Sequence, residues 1–278
     1  MTSELPIGIL DSGFGGLSVA RAVRARFPGE RILFAADCAY APYGDRDESY
    51  IMERLERIIG YLTDRNVKAI VFACNTATAV GVKTFRERLS IPIIGIEPAV
   101  FPAVRHTRQG VVGVLATTTT IRSRKYAEVR ERALEWAAVS RPMKVEVLDM
   151  PCPGLMECVE RGDFGSEKLE ALLEKYVDPL ARAGADEIVL GCTHYPFLAN
   201  AISRHAKGAH LIDPAPAVAE QLGRRLADLD LLAPASPDRP ADAGAALDEF
   251  RATGADPGRE SVLRSLWRKD ARLLPLSA

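Results

Sequence analysis

The sequence predicts an α/β fold made of two similar domains with mainly parallel sheets. Three observations lead there. Short apolar runs alternate with amphipathic stretches. The runs are apolar almost throughout, as in strands covered on both faces. The chain also carries an approximate internal echo. The runs fall at residues 7–10, 32–35, 69–72, 93–96, 111–115, 144–148, 187–190 and 210–212. Between them, residues 19–26, 49–64, 77–88 and 168–183 have helical periodicity. Strand, helix, strand, helix is the signature of parallel α/β layers.

The echo sharpens the prediction. Residues 67–76, VKAIVFACNT, resemble residues 185–194, ADEIVLGCTH. Each is a buried strand ending in a small residue, then Cys, then amide or hydroxyl side chains. Residues 7–12, IGILDS, pair in the same way with residues 112–117, VGVLAT. These echoes are too few and too short for a solenoid; they fit two facing α/β halves related by a pseudo-twofold axis. Ligands of open parallel sheets bind beyond the carboxyl ends of strands, so four strand ends are expected to converge on one cleft. Residues 233–245, rich in Pro, Ala and Asp, read as a surface loop. A short strand (247–253) and a terminal helix (259–269) with Leu263, Leu266 and Trp267 inward are expected after it.

Composition narrows the class. The 278 residues are 47% hydrophobic and 26% charged, enough to bury a full core without staples. A net charge of −1 supplies no global field to draw the chain to nucleic acid or to an anionic membrane. The Arg-rich stretches 122–125 and 130–132 read as solvated helix faces. Residues 1–5 lack a basic region, and the apolar run after them stops at Asp11, so no secretory signal is expected. No segment has the apolar length of a membrane span. Five cysteines, at 38, 74, 152, 158 and 192, are an odd, scattered set. That argues against a disulfide framework and for a cytoplasmic location. No pair has zinc-site spacing, so no metal is expected.

Cys74 and Cys192 carry the chemistry. Each is placed where a strand ends and a helix begins, where exposed N–H groups favour a thiolate. A buried structural thiol is the alternative for either alone; their matched contexts favour function. Inverting a stereocentre needs a base on one face of Cα and an acid on the other, and a thiolate–thiol pair across a cleft supplies both. The α-proton is weakly acidic, so the site must stabilise carbanion-like charge with preorganised donors. Asn75, Thr76, Thr117 and Thr193 suit that work. His194 directly follows Cys192-Thr193 and can assist proton movement at that thiol. Asp11 can orient the substrate ammonium or assist at Cys74, with helix capping as its structural alternative. Cys158 reads as structural, and Cys38 and Cys152 as pocket lining.

Two other readings are weak. Asp11-Ser12-Gly13-Phe14-Gly15-Gly16 partly mimics a dinucleotide fingerprint, with Asp37 in the place of a ribose-binding acid, but Ser18 replaces the last glycine. A hydrolase triad built from Ser12 lacks the GxSxG elbow.

With these residues assembled, the chain resembles the glutamate racemases of bacterial cell-wall synthesis. The resemblance runs through GILDSGFGGLSV (8–19), APYGDR (41–46), VFACNTATA (71–79), GIEPA (95–99), GVLATTTT (113–120), VLGCTHYPFL (189–198) and IDPA (212–215). It implies an isomerase that interconverts L- and D-glutamate for peptidoglycan, with no cofactor. It implies that Cys74 acts on the D-isomer and Cys192 on the L-isomer, with Asp11 and His194 assisting. Substrate contacts would fall on Ser12, Pro42, Tyr43, Gly44, Asn75, Thr76, Thr117, Thr120 and Thr193. The implied domains are 1–97 plus 211–278, and 98–210. Family members are commonly dimers, so a homodimer is within what the resemblance implies. In aspartate racemases of the same superfamily the second cysteine motif continues with Glu, where this chain has His194. Phe101, Cys38 and the central threonines of 117–120 depart from the family's usual residues.

Overall fold

The computed structural model describes residues 2–233 and 247–277. In chain order the strands are β1 (Ile7–Asp11), β2 (Ile32–Ala36), β3 (Ala69–Phe72), β4 (Ile93–Gly95), β5 (Val111–Ala116), β6 (Glu146–Pro151), β7 (Glu187–Gly191), β8 (His210–Ile212), β9 (Glu249–Ala252) and β10 (Leu273–Pro275). The α-helices are α1 (Leu17–Arg26), α2 (Glu48–Asp64), α3 (Asn75–Arg88), α4 (Val100–His106), α5 (Thr118–Arg122), α6 (Arg124–Ser140), α7 (Leu155–Glu160), α8 (Glu167–Arg182), α9 (Ala199–His205), α10 (Ala215–Asp228) and α11 (Pro257–Leu266). The expected loop at 233–245 lies, apart from Ala233, outside the described residues.

The strands form two sheets, each parallel throughout: β10-β9-β2-β1-β3-β4 and β6-β5-β7-β8. The chain divides into two compact units, residues 1–96 with 215–278, and residues 97–214. Strand β8 pairs with β7, so it goes with the second unit, and the first unit resumes at Ala215.

The apolar runs form central strands for the reason their composition gives. Every residue of β1, β2, β3 and β7 is buried, because helices cover both faces of a parallel sheet. In the first unit, Leu55, Ile58, Ile59 and Leu62 of α2 and Phe85 of α3 pack on Leu10, Ile70 and Phe72. In the second, Val100, Ala103 and Val104 of α4 and Val129, Ala133 and Ala137 of α6 pack on Val112, Val114 and Val189. The Arg-rich stretches fall at the end of α5 and along α6, which buries only Tyr126, Val129, Ala133 and Ala137.

The two sheets repeat one strand order. In the first, β1 is flanked by β2 and β3, with β4 beyond β3; in the second, β5 is flanked by β6 and β7, with β8 beyond β7. Each therefore has a topological switch point between its two central strands, where successive connections diverge and open a crevice at the carboxyl ends.

The terminal helix is shorter than expected. It ends at Leu266, and Trp267 is its C-cap, half-buried, with its ring 5.2 Å from that of Phe250 on β9. Leu263 and Leu266 point inward as expected.

Gly16 shows how tightly the first crevice is built. A Cβ there would lie 2.6 Å from Asp11 Cβ and 3.0 Å from Ala73 Cβ. Gly16→Ala is therefore expected to destabilise the protein by about 1–3 kcal/mol through overpacking. Urea unfolding measures this, and an unchanged midpoint would show that the crevice has slack.

Candidate active site

In the first unit the switch point lies between β1 and β3, and the chain places Asp11 at the end of one and Cys74 just past the other. Cys74 is the N-cap of α3, and its Sγ accepts the Ala77 N–H at 3.4 Å. The sulfur thus takes the place an N-cap oxygen usually fills, at the positive end of the helix dipole. It also lies 3.8 Å from the Ser12 hydroxyl. Asp11 is buried, and its Oδ2 accepts the Gly13 N–H at 3.0 Å. It closes the glycine-rich turn from behind, whereas Gly16 is the residue that precedes α1. Thr76 is buried beside these groups, one residue into α3.

Asn75 is the most informative neighbour. It is buried, yet neither atom of its amide has a hydrogen-bond partner among the described residues. A buried amide without partners is costly, so such a group calls for a ligand or ordered water.

Pro42, Tyr43 and Gly44 sit in the connection from β2 to α2, where Tyr43–Asp45 forms a 3-10 turn packed against α3. Tyr43 shares the core cluster of Cys74, and its hydroxyl donates to Asp37 Oδ2 at 2.6 Å. Burial pushes the phenol far above its ordinary range, and the Asp37 charge adds to that, so it stays a donor. Asp37 also accepts from Arg54 Nε at 2.8 Å, Arg54 Nη2 at 3.0 Å and Thr253 Oγ1 at 2.9 Å. A fully buried carboxylate so engaged has no capacity left for a ribose, which removes the basis of the dinucleotide reading.

In the second unit the switch point lies between β5 and β7, which carry Thr117 and Cys192 at their ends. Thr117 is the N-cap of α5: its Oγ1 accepts the Thr120 N–H at 3.2 Å and donates to Thr120 Oγ1 at 2.9 Å. Thr120 and Thr193 are buried.

Cys192 departs from the expected helix start. After it the chain turns, with Tyr195 N–H donating to Cys192 O at 3.1 Å, and then forms a 3-10 segment, Tyr195–Leu198. Pro196, which lacks an N–H, sits in the first turn of that segment. A side chain does the work instead. His194 Nδ1 lies 3.6 Å from Cys192 Sγ, and its Nε2 lies 2.6 Å from Glu160 Oε1 at the end of α7. Burial alone would push His194 down. Its contacts with the Cys192 sulfur and the Glu160 carboxylate outweigh that and hold it well above the ordinary histidine range. Both ring nitrogens thus face groups that favour the protonated imidazole, one towards the sulfur and one towards the carboxylate.

Sequence reasoning missed Glu160. It lies 34 residues before His194, outside every recognisable motif. Cys152 donates to Met150 O at 3.0 Å, and burial holds its thiol well above the usual range. Burial also raises Cys158, which sits inside α7. Among the described residues, no cluster of three His, Cys, Asp or Glu side chains could hold a metal ion, and no helix is long and apolar enough to cross a membrane.

Residues 18–222 match the family profile described as Asp/Glu/Hydantoin racemase. The chain belongs to that family. Within the family it is 44% identical over 265 residues to glutamate racemase from Pseudomonas putida strain W619, covering 94% of each chain. It is 47% identical over 232 residues to glutamate racemase from Ralstonia pickettii, covering 83% of this chain and 79% of that one. Solved structures agree. Glutamate racemase from Francisella tularensis, in complex with D-glutamate, superposes with a TM-score of 0.79 at 28% identity, over 99% of this chain and 98% of that one. The Escherichia coli enzyme, in complex with L-glutamate and the activator UDP-MurNAc-Ala, gives 0.79 at 29% identity, over 98% and 97%. As a racemase of this family the chain is an isomerase.

Proposed function

We propose that the chain interconverts L- and D-glutamate by moving the α-proton between Cys74 and Cys192, with no metal or organic cofactor. Support comes first from two thiols at equivalent switch points, one in each unit, each with its own electrostatic partner. Cys74 has the N-terminus of α3; Cys192 has the His194–Glu160 pair. Glutamate as substrate is supported by the relatives' names and by the glutamate complexes of the Francisella and Escherichia enzymes.

In the proposed reaction from L-glutamate, the Cys192 thiolate removes the α-proton and becomes a thiol. The electron pair left on Cα takes the proton of the Cys74 thiol from the opposite face, giving D-glutamate and a Cys74 thiolate. The reverse reaction exchanges the roles. His194 delivers or receives a proton at the Cys192 sulfur, and Asp11 assists on the Cys74 side. The orphaned Asn75 amide offers both a donor and an acceptor to substrate. Ser12, Pro42, Tyr43, Gly44, Thr76, Thr117, Thr120 and Thr193 complete the proposed contacts. The product D-glutamate would serve peptidoglycan synthesis in the cytoplasm.

Purified protein given L-glutamate and no additive is expected to drive its optical activity to zero, since the enantiomers are equal in free energy in water. L-aspartate under the same conditions is expected to keep its rotation. Loss of rotation from aspartate alone would overturn the glutamate assignment.

A further inference from the structure

The segment that returns after residue 246 reaches the candidate site through one hydroxyl. Thr253 follows β9, and its N–H donates to Ala36 O at 3.0 Å, one step beyond the β2–β9 ladder. Its buried Oγ1 accepts the Ala39 N–H at 3.0 Å and donates to Asp37 Oδ1 at 2.9 Å. The next residue, Gly254, adopts φ +61, and a Cβ there would lie 3.1 Å from Ala39 Cβ. Two successive residues thus clamp the first turn of the β2–α2 connection, one by hydrogen bonds and one by close approach.

That connection carries Pro42-Tyr43-Gly44. Asp37 gives Oδ1 to Thr253 and Arg54 Nη2, and Oδ2 to Tyr43 and Arg54 Nε. The Arg54 guanidinium carbon in turn lies 3.5 Å from the centre of the Tyr40 ring. Tyr43 packs in the cluster of Cys74, and its 3-10 turn packs on α3, whose first residues follow that cysteine. A continuous chain of contacts therefore runs from Thr253 through Ala39 and Asp37 to Tyr43 and the Cys74 end of α3. Buried hydrogen-bonded networks of this kind fix geometry because every member must be satisfied at once.

We propose that Thr253 is a positioning residue for substrate binding, setting Pro42-Tyr43-Gly44 against the Cys74 end of α3 through Ala39 and Asp37. This rests on the racemase reading above. The hydroxyl does not touch substrate; it governs how well the segment that does so is held. Its loss weakens glutamate binding more than it slows the chemical step.

The test compares Thr253→Val, which keeps shape but loses both hydrogen bonds, with Thr253→Ser, which keeps them. Val is expected to raise KM for glutamate about three- to tenfold, part of the net worth of the two lost hydrogen bonds, with a smaller change in kcat. Ser is expected to return KM to the wild-type value. Tyr43→Phe cuts the same chain at its other end and leaves the β2–β9 ladder intact; it carries the test if the Val variant does not fold. The Phe variant is expected to raise KM similarly, and the Val–Phe double variant to match the singles instead of multiplying them. Wild-type KM in the folded Val or Phe variant, Ser as impaired as Val, or a multiplicative double variant would overturn the proposal. A wild-type protein that leaves L-glutamate unchanged would sink the racemase reading and this inference together. Normal wild-type turnover with indifferent variants would sink the inference alone.

Discussion

Cys74→Ala is expected to lower racemisation by roughly 10²–10⁴-fold or more, the scale of a lost general acid or base, while the protein stays folded. The sulfur caps α3 by accepting the Ala77 N–H, and losing a cap costs about 0.5–2 kcal/mol, small beside the chemical effect. The sharper expectation concerns exchange. At equilibrium the enantiomers are equal in amount, so kcat/KM must be the same in both directions for any variant. Exchange of the α-proton with solvent has no such constraint. With Cys192 alone, a proton can leave and return on one face, washing deuterium into one enantiomer without inverting it. By the family resemblance that enantiomer is L-glutamate for Cys74→Ala and D-glutamate for Cys192→Ala. Proton NMR of each pure enantiomer in deuterated buffer reads this directly. Turnover near wild type in either variant, or equal wash-in from both enantiomers, would contradict two thiols with separate faces.

Glu160→Gln should act through His194 and should be visible in the pH profile. The Glu160 carboxylate is one of the two groups that hold His194 above its ordinary range against the effect of burial. Removing that charge lets the histidine fall, so it loses its proton at a lower pH. The alkaline limb of activity is expected to move to lower pH, with turnover at mildly alkaline pH reduced about tenfold or more. The stability linkage has the same sign. His194 has a raised value in the folded protein, so its contribution is complete below the ordinary histidine range. It fades as pH rises through the elevated folded value, and the Gln variant should lack most of this dependence. Rate profiles and urea unfolding across pH measure the two effects. An alkaline limb that stays in place would mean that Glu160 does not tune His194.

Much of this was legible in the sequence because the informative signals are local. The eight apolar runs became strands with ends shifted by a few residues at most; β1, β2, β3 and β7 are buried throughout, whereas the sheet-edge strands β6 and β8 are only partly buried. The matched cysteine contexts could be read for the same reason: a strand end and the residues after it are contiguous in the chain. What was not legible depends on partners far apart in sequence. Nothing near Glu160 announces that it meets His194. Asp37 looked like a ribose ligand because it ends the strand that follows the glycine-rich turn at residues 11–16, whereas its real partners are Tyr43, Arg54 and Thr253, the last 216 residues away. The helix expected at Cys192 gave way to a turn and a 3-10 segment containing Pro196. Strand β10 is only three residues long, ends in Pro and lies at a sheet edge, which leaves almost no periodicity to detect.

The position of β9 in the sheet has a consequence for how the chain is made. It is inserted between β2 and β10, so until it arrives β2 presents an open backbone edge to its surroundings. During synthesis from the N-terminus, β1 to β4 are complete long before residue 249 leaves the ribosome, and the whole of residues 97–214 emerges in between. The nascent protein therefore carries an uncapped, fully apolar strand through most of its translation. Chains that stop before β9 would be the ones prone to pair with each other and to be recognised by quality control.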